Sequence, residues 1–133
     1  MLRVRTKVGQ SKVHGLGLFA EEFIPKGTIT WAYDAGYDLS YTQEDIDHVS
    51  PPAKEFLLYY CYFDTGIKKY VLCADNLRYI NHAKNPDDEN IISTPRQDIA
   101  ARDIQPGEEM MCDYYKFDPE YFGRIGLKPT DLE

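Results

Sequence analysis

Residues 15–20, with the sequence GLGLFA, fit the Gly-x-Gly-x-x-Ala pattern of dinucleotide-binding turns. Such a turn needs a buried strand before it and a helix after it, whereas Pro25 and Gly27 would end a helix within two turns. Glycines at alternate positions still let the backbone approach a ligand closely. This segment therefore predicts either a plain glycine-rich loop or a cofactor site of another kind.

A short, mostly apolar run, residues 77–80, leads directly into the pair Asn81 and His82. A buried Asn and a buried His must both find hydrogen-bond partners. The Asn81 amide offers donors and an acceptor, and His82 could hold a backbone group or a ligand. The pair predicts either a turn that orients a ligand or a turn that satisfies only its own polar groups.

A third segment, residues 107–117 with the sequence GEEMMCDYYKF, is an apolar strand that ends in polar and aromatic residues. The chain contains 11 tyrosines, and most of them are expected to be packing residues. A tyrosine at a strand end can nevertheless present its hydroxyl to a cavity. The segment is therefore a third candidate for a place in a functional site.

The elements that must position these segments are predicted to be mainly strands. Turns at residues 25–27 and 106–107 lead into strands at 29–33 and 110–114, and this shared order of residue types is a faint internal repeat. Ser50, followed by two prolines, indicates the start of a helix. The remaining predictions are a capped turn at 42–46, a hairpin joining 62–63 to 69–73, and strands at 90–94 and 99–101. A doubly wound α/β sheet is excluded because its crossover helices are missing.

Length and charge narrow the function classes. The 133 residues fit one compact domain, and the net charge of -7 would repel a phosphate backbone, so nucleic acid is not expected as a partner. The same field favours a cationic partner, such as a lysine-rich peptide or a positively charged cofactor.

No segment approaches the roughly 20 apolar residues of a membrane helix, and no signal peptide is visible, so no membrane contact and a cytoplasmic location are expected. Cys61, Cys73 and Cys112 are widely spaced, which predicts core residues rather than a disulfide or zinc site.

The three candidate segments together, in this order, resemble the SET-domain protein lysine methyltransferases. That family carries a Gly-x-Gly-Leu-Phe-Ala motif, an Arg-Phe-x-Asn-His-Ser turn and a Gly-Glu-Glu-Leu-x-x-Asp-Tyr strand. The resemblance runs from about Lys7 to about Phe117. It implies a SET domain over residues 1–117, mainly β, with small curved sheets, one main helix and a pseudoknot in which the chain near Tyr114 passes through a loop. Residues 118–133 would be a short C-terminal tail that closes the site.

The resemblance also implies a role for each matching residue. S-adenosylmethionine would be the cofactor, and a protein presenting a lysine would be the substrate. The implied cofactor-binding residues are Gly15, Leu16, Gly17, Arg78, Asn81, His82 and Phe117, the last by packing on adenine. Tyr114 matches the active-site tyrosine, Tyr33 looks like a wall of the lysine channel, and Cys112 would line that channel where relatives often have a residue that limits how many methyl groups are added.

The residue types suit this chemistry, because a lysine amine must attack a sulfonium methyl in line and the protein has mainly to position, desolvate and stabilise charge. A free lysine has a pKa of about 10.4, so an apolar aromatic channel would help to deliver the neutral amine. The chain departs from the family at Ala83, where relatives have Ser. No cysteine cluster follows Phe117, so no metal is expected, and Tyr121 or Phe122 could help to close the site.

Two alternatives compete with an active methyltransferase. The first is a catalytically weak SET-like module that holds a lysine peptide or the cofactor without useful transfer. The second is a thiol hydrolase using Cys112, His82 and Asp113, but neighbours on a strand point to opposite faces, which argues against it. Acidic residues at 44, 45 and 47 could attract a basic peptide or simply form a solvated face. The sequence predicts no oligomeric state.

Overall fold

The computed structural model describes residues 1–128 and 130. The strands are β1 Thr6–Gln10, β2 Leu16–Ala20, β3 Ile29–Ala32, β4 Leu39–Tyr41, β5 Tyr62–Asp64, β6 Lys69–Leu72, β7 Asn81–His82, β8 Ile91–Ser93, β9 Gln97–Ala100 and β10 Glu109–Cys112. The α-helices are α1 Gln43–His48, α2 Pro51–Tyr60 and α3 Tyr121–Ile125, and 3₁₀ turns cover Asn76–Tyr79, Pro86–Asp88 and Tyr114–Lys116.

The strands form two sheets within the described part of the chain. The larger has the order β1-β2-β10-β8-β9-β3, with β7 pairing β10, and the smaller has the order β4-β6-β5. Strand β10 is antiparallel to β2 but parallel to β7 and β8. The expected mainly β fold class is confirmed. The threaded crossing near Tyr114 stays a prediction.

The internal repeat seen in the sequence corresponds to two segments that pair with each other. Ile24 and Ile104 exchange backbone hydrogen bonds of 2.9 and 2.8 Å. On either side, Gly27 donates to the carbonyl of Ala100 at 2.8 Å, and Gly107 donates to the carbonyl of Ala20 at 2.7 Å. The two glycines have φ angles of 86° and 88°, which explains why each turn ends in a residue without a Cβ. The repeat therefore joins β2 and β9 to the strands that follow the turns.

The main hydrophobic core lies on the larger sheet. Its fully buried members include Leu18 on β2, Ile91 on β8 and Met110 on β10. Burial of side chains from strands this far apart in the sequence ties the sheet together, at roughly 1.5–3 kcal/mol for each such side chain. The cysteines Cys73 and Cys112 belong to this core, as the sequence predicts.

A second core lies between the smaller sheet and helices α1 and α2. It is built from Ile46, Leu57, Cys61, Tyr70 and Leu72. The capping residue of α1 is Thr42, whose side chain accepts from the amide of Asp45 while the Asp45 carboxylate accepts from the amide of Thr42. Helix α2 begins after Ser50 as predicted, although its first turn is defined by the prolines rather than by a side-chain cap.

Three local predictions were wrong. The strand expected over 110–114 ends at Cys112, because the Asp113 side chain accepts from the amide of Tyr115 and starts a 3₁₀ turn. The pair Asn81–His82 is a short strand rather than a turn, since it finds parallel partners on β10. The helix Tyr121–Ile125 was not expected. Residues 129 and 131–133 of the predicted tail lie outside the described residues, and the domain boundary at 117 stays a prediction.

Within residues 1–128 and 130, the helices are too short or too polar to span a membrane.

Candidate active site

Two adjacent cavities share one wall. The outer cleft, of about 280 Å³, is lined by His14, Gly15, Leu16, Tyr79 and Asn81. The inner cavity, of about 60 Å³, is lined by Trp31, Tyr62, Cys73, Asp98 and Phe117, together with Cys61, Leu77, Ser93 and Thr94. Six residues line both, namely Tyr59, Tyr60, Arg78, Ile80, Tyr114 and Tyr121. This arrangement gives a larger cleft and a smaller cavity, rich in aromatic side chains, on either side of a shared layer of side chains.

The floor of the outer cleft is the backbone that leads into β2. Gly15 has a φ of 47°, and the space where its Cβ would lie is open. Leu16 is 52% exposed and follows directly. Gly17 does not line the cleft, but a Cβ there would lie 2.8 Å from a carboxylate oxygen of Glu109. A side chain at position 17 would therefore have to displace the Glu109 carboxylate, which lies beneath the cleft.

Asn81 fastens this backbone to β7. Its side-chain Nδ2 donates to the carbonyls of His14 and Leu16 at 3.0 Å each and lies 3.2 Å from Oε2 of Glu109. Glu109 also accepts from the hydroxyl of Ser11 at 2.7 Å. Sequence reasoning missed Glu109, because its role depends on β10 lying beside β2. Asn81 and Glu109 together fix the shape of the cleft floor.

His82 lies behind the shared wall and lines neither cavity. Its ring packs edge-on against Tyr114 and Phe122, with centroids 5.3 and 5.2 Å apart. Its Nδ1 accepts from the backbone amide of Tyr114 at 3.1 Å. Burial lowers the pKa of His82, despite the Asp113 carboxylate 3.8 Å from Nδ1. We therefore assign a neutral imidazole that positions Tyr114, and the expected part of His82 in cofactor binding stays a prediction.

Tyr114 occupies the middle of the shared wall. Its hydroxyl donates to the backbone carbonyl of Ile80, and its ring packs between Phe117 and Tyr121 at 5.6 and 5.2 Å. Burial raises the pKa of the Tyr114 hydroxyl well above its ordinary value, so the hydroxyl stays protonated. A neutral hydroxyl with a fixed orientation is thus presented where the two cavities meet.

Tyrosine and tryptophan rings dominate the inner cavity. Tyr62 meets Trp31 edge-on at 6.3 Å and Phe117 edge-on at 5.7 Å. Phe117 lines the inner cavity and not the outer cleft, and its expected packing on adenine stays a prediction. Phe117 takes this place because of the 3₁₀ turn after Asp113, which brings it back beneath Tyr114.

Two predicted channel residues lie outside both linings. Tyr33 follows the end of β3, where its amide donates to the carbonyl of Arg96 and its ring is covered by the Arg96 guanidinium at 5.0 Å. Trp31, two residues earlier, lines the inner cavity instead. Cys112 is fully buried in the sheet, beside Ser93. Burial also raises the pKa of the Cys112 thiol well above its ordinary value, the wrong direction for a thiol nucleophile.

Several lining residues were not predicted from the sequence. His14 and Tyr59 meet across the outer cleft, with Nε2 and the hydroxyl oxygen 2.8 Å apart. Tyr60 packs edge-on against Tyr79 at 5.8 Å. The concentration of aromatic residues in α2 was the available signal. Tyr121, which was suggested for a closing role, lines both cavities and donates its hydroxyl to the carbonyl of Tyr59 at 2.7 Å.

The described side chains include no group of three or more His, Cys, Asp or Glu that could hold a metal ion.

Arg78 is the cation that lines both cavities, and its Nε donates to the carbonyl of Cys73 at 3.1 Å. The arrangement as a whole can bind a polar ligand in the outer cleft and a narrower, largely apolar chain in the inner cavity. Tyr114 would touch both.

Comparison with known proteins gives one family. The sequence model of the SET domain matches residues 15–115. No curated protein sequence matches significantly.

Solved structures share the fold. A Chaetomium thermophilum Polycomb Repressive Complex 2 structure bound to GSK126 aligns with a TM-score of 0.66 at 21% identity, over 92% of this chain and 17% of that chain. An apo ctPRC2 with mutations in Ezh2 gives a TM-score of 0.66 at 23% identity, over 86% of this chain and 15% of that one. A Plasmodium falciparum protein named as a candidate histone methyltransferase gives 0.59 at 22% identity, over 85% of this chain and 95% of its own. The chain therefore spans about one sixth of the Polycomb chains.

Proposed function

Because the chain belongs to the SET-domain family, we propose that it transfers a methyl group from S-adenosylmethionine to the ε-amine of a lysine in a protein substrate. The observation that carries the proposal is the place of Tyr114, whose buried ring and hydroxyl lie in the wall shared by the outer cleft and the inner cavity. A two-substrate transfer needs such a meeting point between separate binding sites.

The outer cleft fits S-adenosylmethionine in size and in chemistry. Its volume of about 280 Å³ falls near the range of small-ligand sites. The floor is open backbone at Gly15 and Leu16, the wall carries the rings of Tyr60 and Tyr79, and the Arg78 guanidinium can meet a carboxylate. Aromatic faces also suit a positively charged sulfur. When bound, the cofactor supplies a methyl group on a sulfonium.

The inner cavity would receive the end of the lysine side chain. Many of its lining side chains are aromatic. The ring of Tyr62 contacts both Trp31 and Phe117 edge-on. A desolvated aromatic cavity disfavours the ammonium form of lysine and so favours the amine that can attack. The hydroxyl of Tyr114 would orient the amine, while His82 and the carbonyl of Ile80 hold Tyr114 in place.

The net charge of -7 supports a basic substrate segment. Acidic groups on α1 include Asp47, which is half exposed but already pairs with Lys54 at 3.3 Å, so a basic segment would have to compete with that lysine. A location in the cytoplasm remains part of this proposal.

A catalytically weak SET-like module is the second candidate, favoured by two observations. Ala83 stands where relatives carry Ser, and its amide donates to the carbonyl of Cys112 at 2.9 Å, so the departure lies beside the site. The inner cavity, at about 60 Å³, is also small. Such a module would bind the cofactor or a lysine peptide without turnover.

Calorimetric titration with S-adenosylmethionine and S-adenosylhomocysteine, followed by an assay for S-adenosylhomocysteine release on lysine peptides, tests the proposal. Saturable binding together with product release supports the transferase. Binding without product on any peptide supports the weak module. The absence of binding to folded protein would refute both.

A further inference from the structure

A buried carboxyl group lies in the wall of the inner cavity. Asp98 is 3% exposed and lies on β9, where it pairs with Trp31 on β3 and with Ser93 on β8. Residues paired across neighbouring strands project from the same face of a sheet. All three line the inner cavity, so the cavity has an acidic group in one row of an otherwise mostly aromatic and apolar wall.

The groups that face Asp98 come from four other elements. The Ser93 hydroxyl hydrogen-bonds to it, and the ionisable groups that interact with it are Tyr62 on β5, Cys73 after β6 and Cys112 on β10. Burial raises the pKa of all three well above their ordinary values, so they stay neutral. Arg78 is the cation among the described residues of this lining.

Asp98 has the ionisation behaviour of a group that exchanges protons near neutral pH. Burial raises the pKa of its carboxyl to about 7, with the Ser93 hydroxyl opposing the shift. A carboxylate in this position is costly unless a cation or a proton compensates it. The cavity therefore contains an acid whose charge depends on what enters beside it.

Trp31 adds a second polar position to the same wall. It is 1% exposed, and its Nε1–H has no hydrogen-bond partner among the residues that the structure describes. A buried donor of this kind in a native protein calls for an acceptor, which a bridging water would supply and an ammonium group, which can only donate, would not. The face of an indole ring also attracts cations. The carboxyl of Asp98, and not the indole N–H of Trp31, is therefore the group at this end of the cavity that suits a bound cation.

We propose that Asp98 holds the ε-ammonium group of the substrate lysine in the inner cavity and accepts one proton from it. This assignment rests on the function proposed above and adds to it the residue that prepares the nucleophile. One N–H bond of the ammonium breaks, and the proton moves to a carboxylate oxygen of Asp98. The freed lone pair of the amine then forms the N–C bond with the methyl group of S-adenosylmethionine. The C–S bond breaks, and its electron pair stays on the sulfur of S-adenosylhomocysteine.

A purely structural role makes a different prediction. If Asp98 only formed a hydrogen bond with Ser93, an amide at this position would keep that bond. The preference for a charged substrate and the pH profile of methyl transfer would then be unchanged in the variant. If Asp98 receives the ammonium proton, charge recognition and the pH profile must both change. The conservative variant Asp98→Asn separates the two roles.

The decisive experiment compares wild type, Asp98→Asn and Asp64→Asn. Asp64 is an equally buried carboxyl on β5 that lines neither cavity, and its Oδ1 accepts from the amide of Gly66. It also pairs with Arg96 at 3.5 Å, so Asp64→Asn controls for the loss of a buried negative charge away from the cavity. Affinity for a lysine peptide and for the same peptide with norleucine is measured with S-adenosylhomocysteine present, so that no turnover occurs. We expect wild type and Asp64→Asn to prefer lysine, and Asp98→Asn to lose about tenfold or more of that preference.

The pH profile of methyl transfer is the second measurement. For wild type we expect kcat/KM to rise with pH through about 7 as Asp98 becomes a carboxylate. Asp98→Asn should lose about 100-fold in kcat at neutral pH, as expected for a missing proton acceptor, and should recover towards the pKa of free lysine, about 10.4. Ser93→Ala keeps the carboxyl and removes the bond that lowers its pKa, so its profile should shift to higher pH.

The outcomes separate this inference from the proposed function. Transfer by wild type with an unchanged lysine preference and pH profile in Asp98→Asn would overturn the role of Asp98 alone. If Asp98→Asn does not fold, an unshifted profile in Ser93→Ala overturns it. No transfer and no cofactor binding by folded wild type would overturn the proposed function, and this inference with it.

Discussion

The side-chain amide of Asn81 donates to the backbone carbonyl of Leu16 at 3.0 Å, across 65 residues of sequence. The two residues come from the first and second motifs that the sequence singled out, and the third motif adds Glu109 to the same hydrogen-bond network. The cleft floor is therefore not a property of the glycine-rich segment alone. It depends on one amide group that holds three segments together.

Asn81→Ala should abolish or severely weaken cofactor binding. The change removes the donor that the carbonyls of His14 and Leu16 share, and with it the link that holds the cleft floor to β7. Calorimetric titration with S-adenosylmethionine measures the effect. Asn85→Ala removes an exposed asparagine that bonds only locally to Asp88, so it should bind like wild type. Equal affinities in the two variants would contradict the role of Asn81.

Tyr114→Phe should nearly abolish methyl transfer while leaving cofactor affinity largely intact. The ring keeps its contacts with Phe117 and Tyr121, but the hydroxyl that meets both cavities is lost. Single-turnover kinetics and calorimetry separate the two effects. The matched control is Tyr115→Phe, because Tyr115 is 49% exposed and lines neither cavity. Unchanged turnover in Tyr114→Phe would remove this tyrosine from the site.

His82 should make the free energy of unfolding depend on pH in a defined direction. Its folded pKa is lowered by burial, so its contribution is fully present above the unfolded pKa of about 6.5. It is lost as the pH falls below that value towards the folded pKa, because protonation at Nδ1 breaks the bond from the Tyr114 amide. Urea unfolding at several pH values, for wild type and His82→Asn, measures this. Because Asp98 acts with the opposite sign in the same pH range, the test is the difference between the two proteins. The free energy of unfolding of wild type should fall relative to that of His82→Asn as the pH falls below about 6.5, and a difference that stays constant between about pH 5 and pH 7 would refute the assignment.

Asp98 should act on stability with the opposite sign. Its folded pKa, raised to about 7, lies above the value of about 3.8 for an exposed aspartate, so the folded protein holds an extra proton between these values. Stability that is present at the acidic end is lost as the pH rises through about 7, by roughly 4 kcal/mol for a shift of this size. Asp98→Asn should therefore gain stability relative to wild type as the pH rises. Parallel melting curves for the two proteins at all pH values would show that Asp98 does not carry this shift.

Because the side chain of Cys112 is small, we expect products with more than one methyl group. Relatives often place a larger side chain at this position, two residues before the active-site tyrosine, and Cys112 lies beside Ser93 under the wall of the inner cavity. Mass spectrometry of a peptide at full turnover should show di- or trimethyl-lysine. Cys112→Met adds volume with a flexible side chain and should shift the product towards monomethyl-lysine. If wild type yields monomethyl-lysine as its sole product, the prediction is wrong.

The sequence predicted the strands, the main helix and the three motifs because local patterns encode them. Turn residues, a proline-started helix and alternating apolar positions act over a few residues, and the family match over residues 15–115 confirms the motif-based assignment. The placement of Tyr33, Phe117 and Asp98 could not be predicted in the same way. It depends on the pairing of β3 with β9, which is a non-local contact. It also depends on the turn after Asp113, where a turn and a continued strand are close in free energy. Nothing in the sequence of β9 distinguishes Asp98. Its place in the cavity wall is visible only once Trp31 and Ser93 are known to lie beside it.

The position of β10 has a consequence for how the protein comes to be made. Strand β10 pairs with β2 through Glu109 and Phe19 and lies between β2 and β8. The pair β1–β2 and the strands β8, β9 and β3 are therefore joined into one sheet only when β10 is in place. Strands β2, β8 and β9 are synthesised before β10, and contacts this distant in sequence form slowly. Until β10 pairs, β2 and β8 each have an unpaired edge, and such edges favour association with other chains. Aggregation during folding is therefore expected to begin at these two edges.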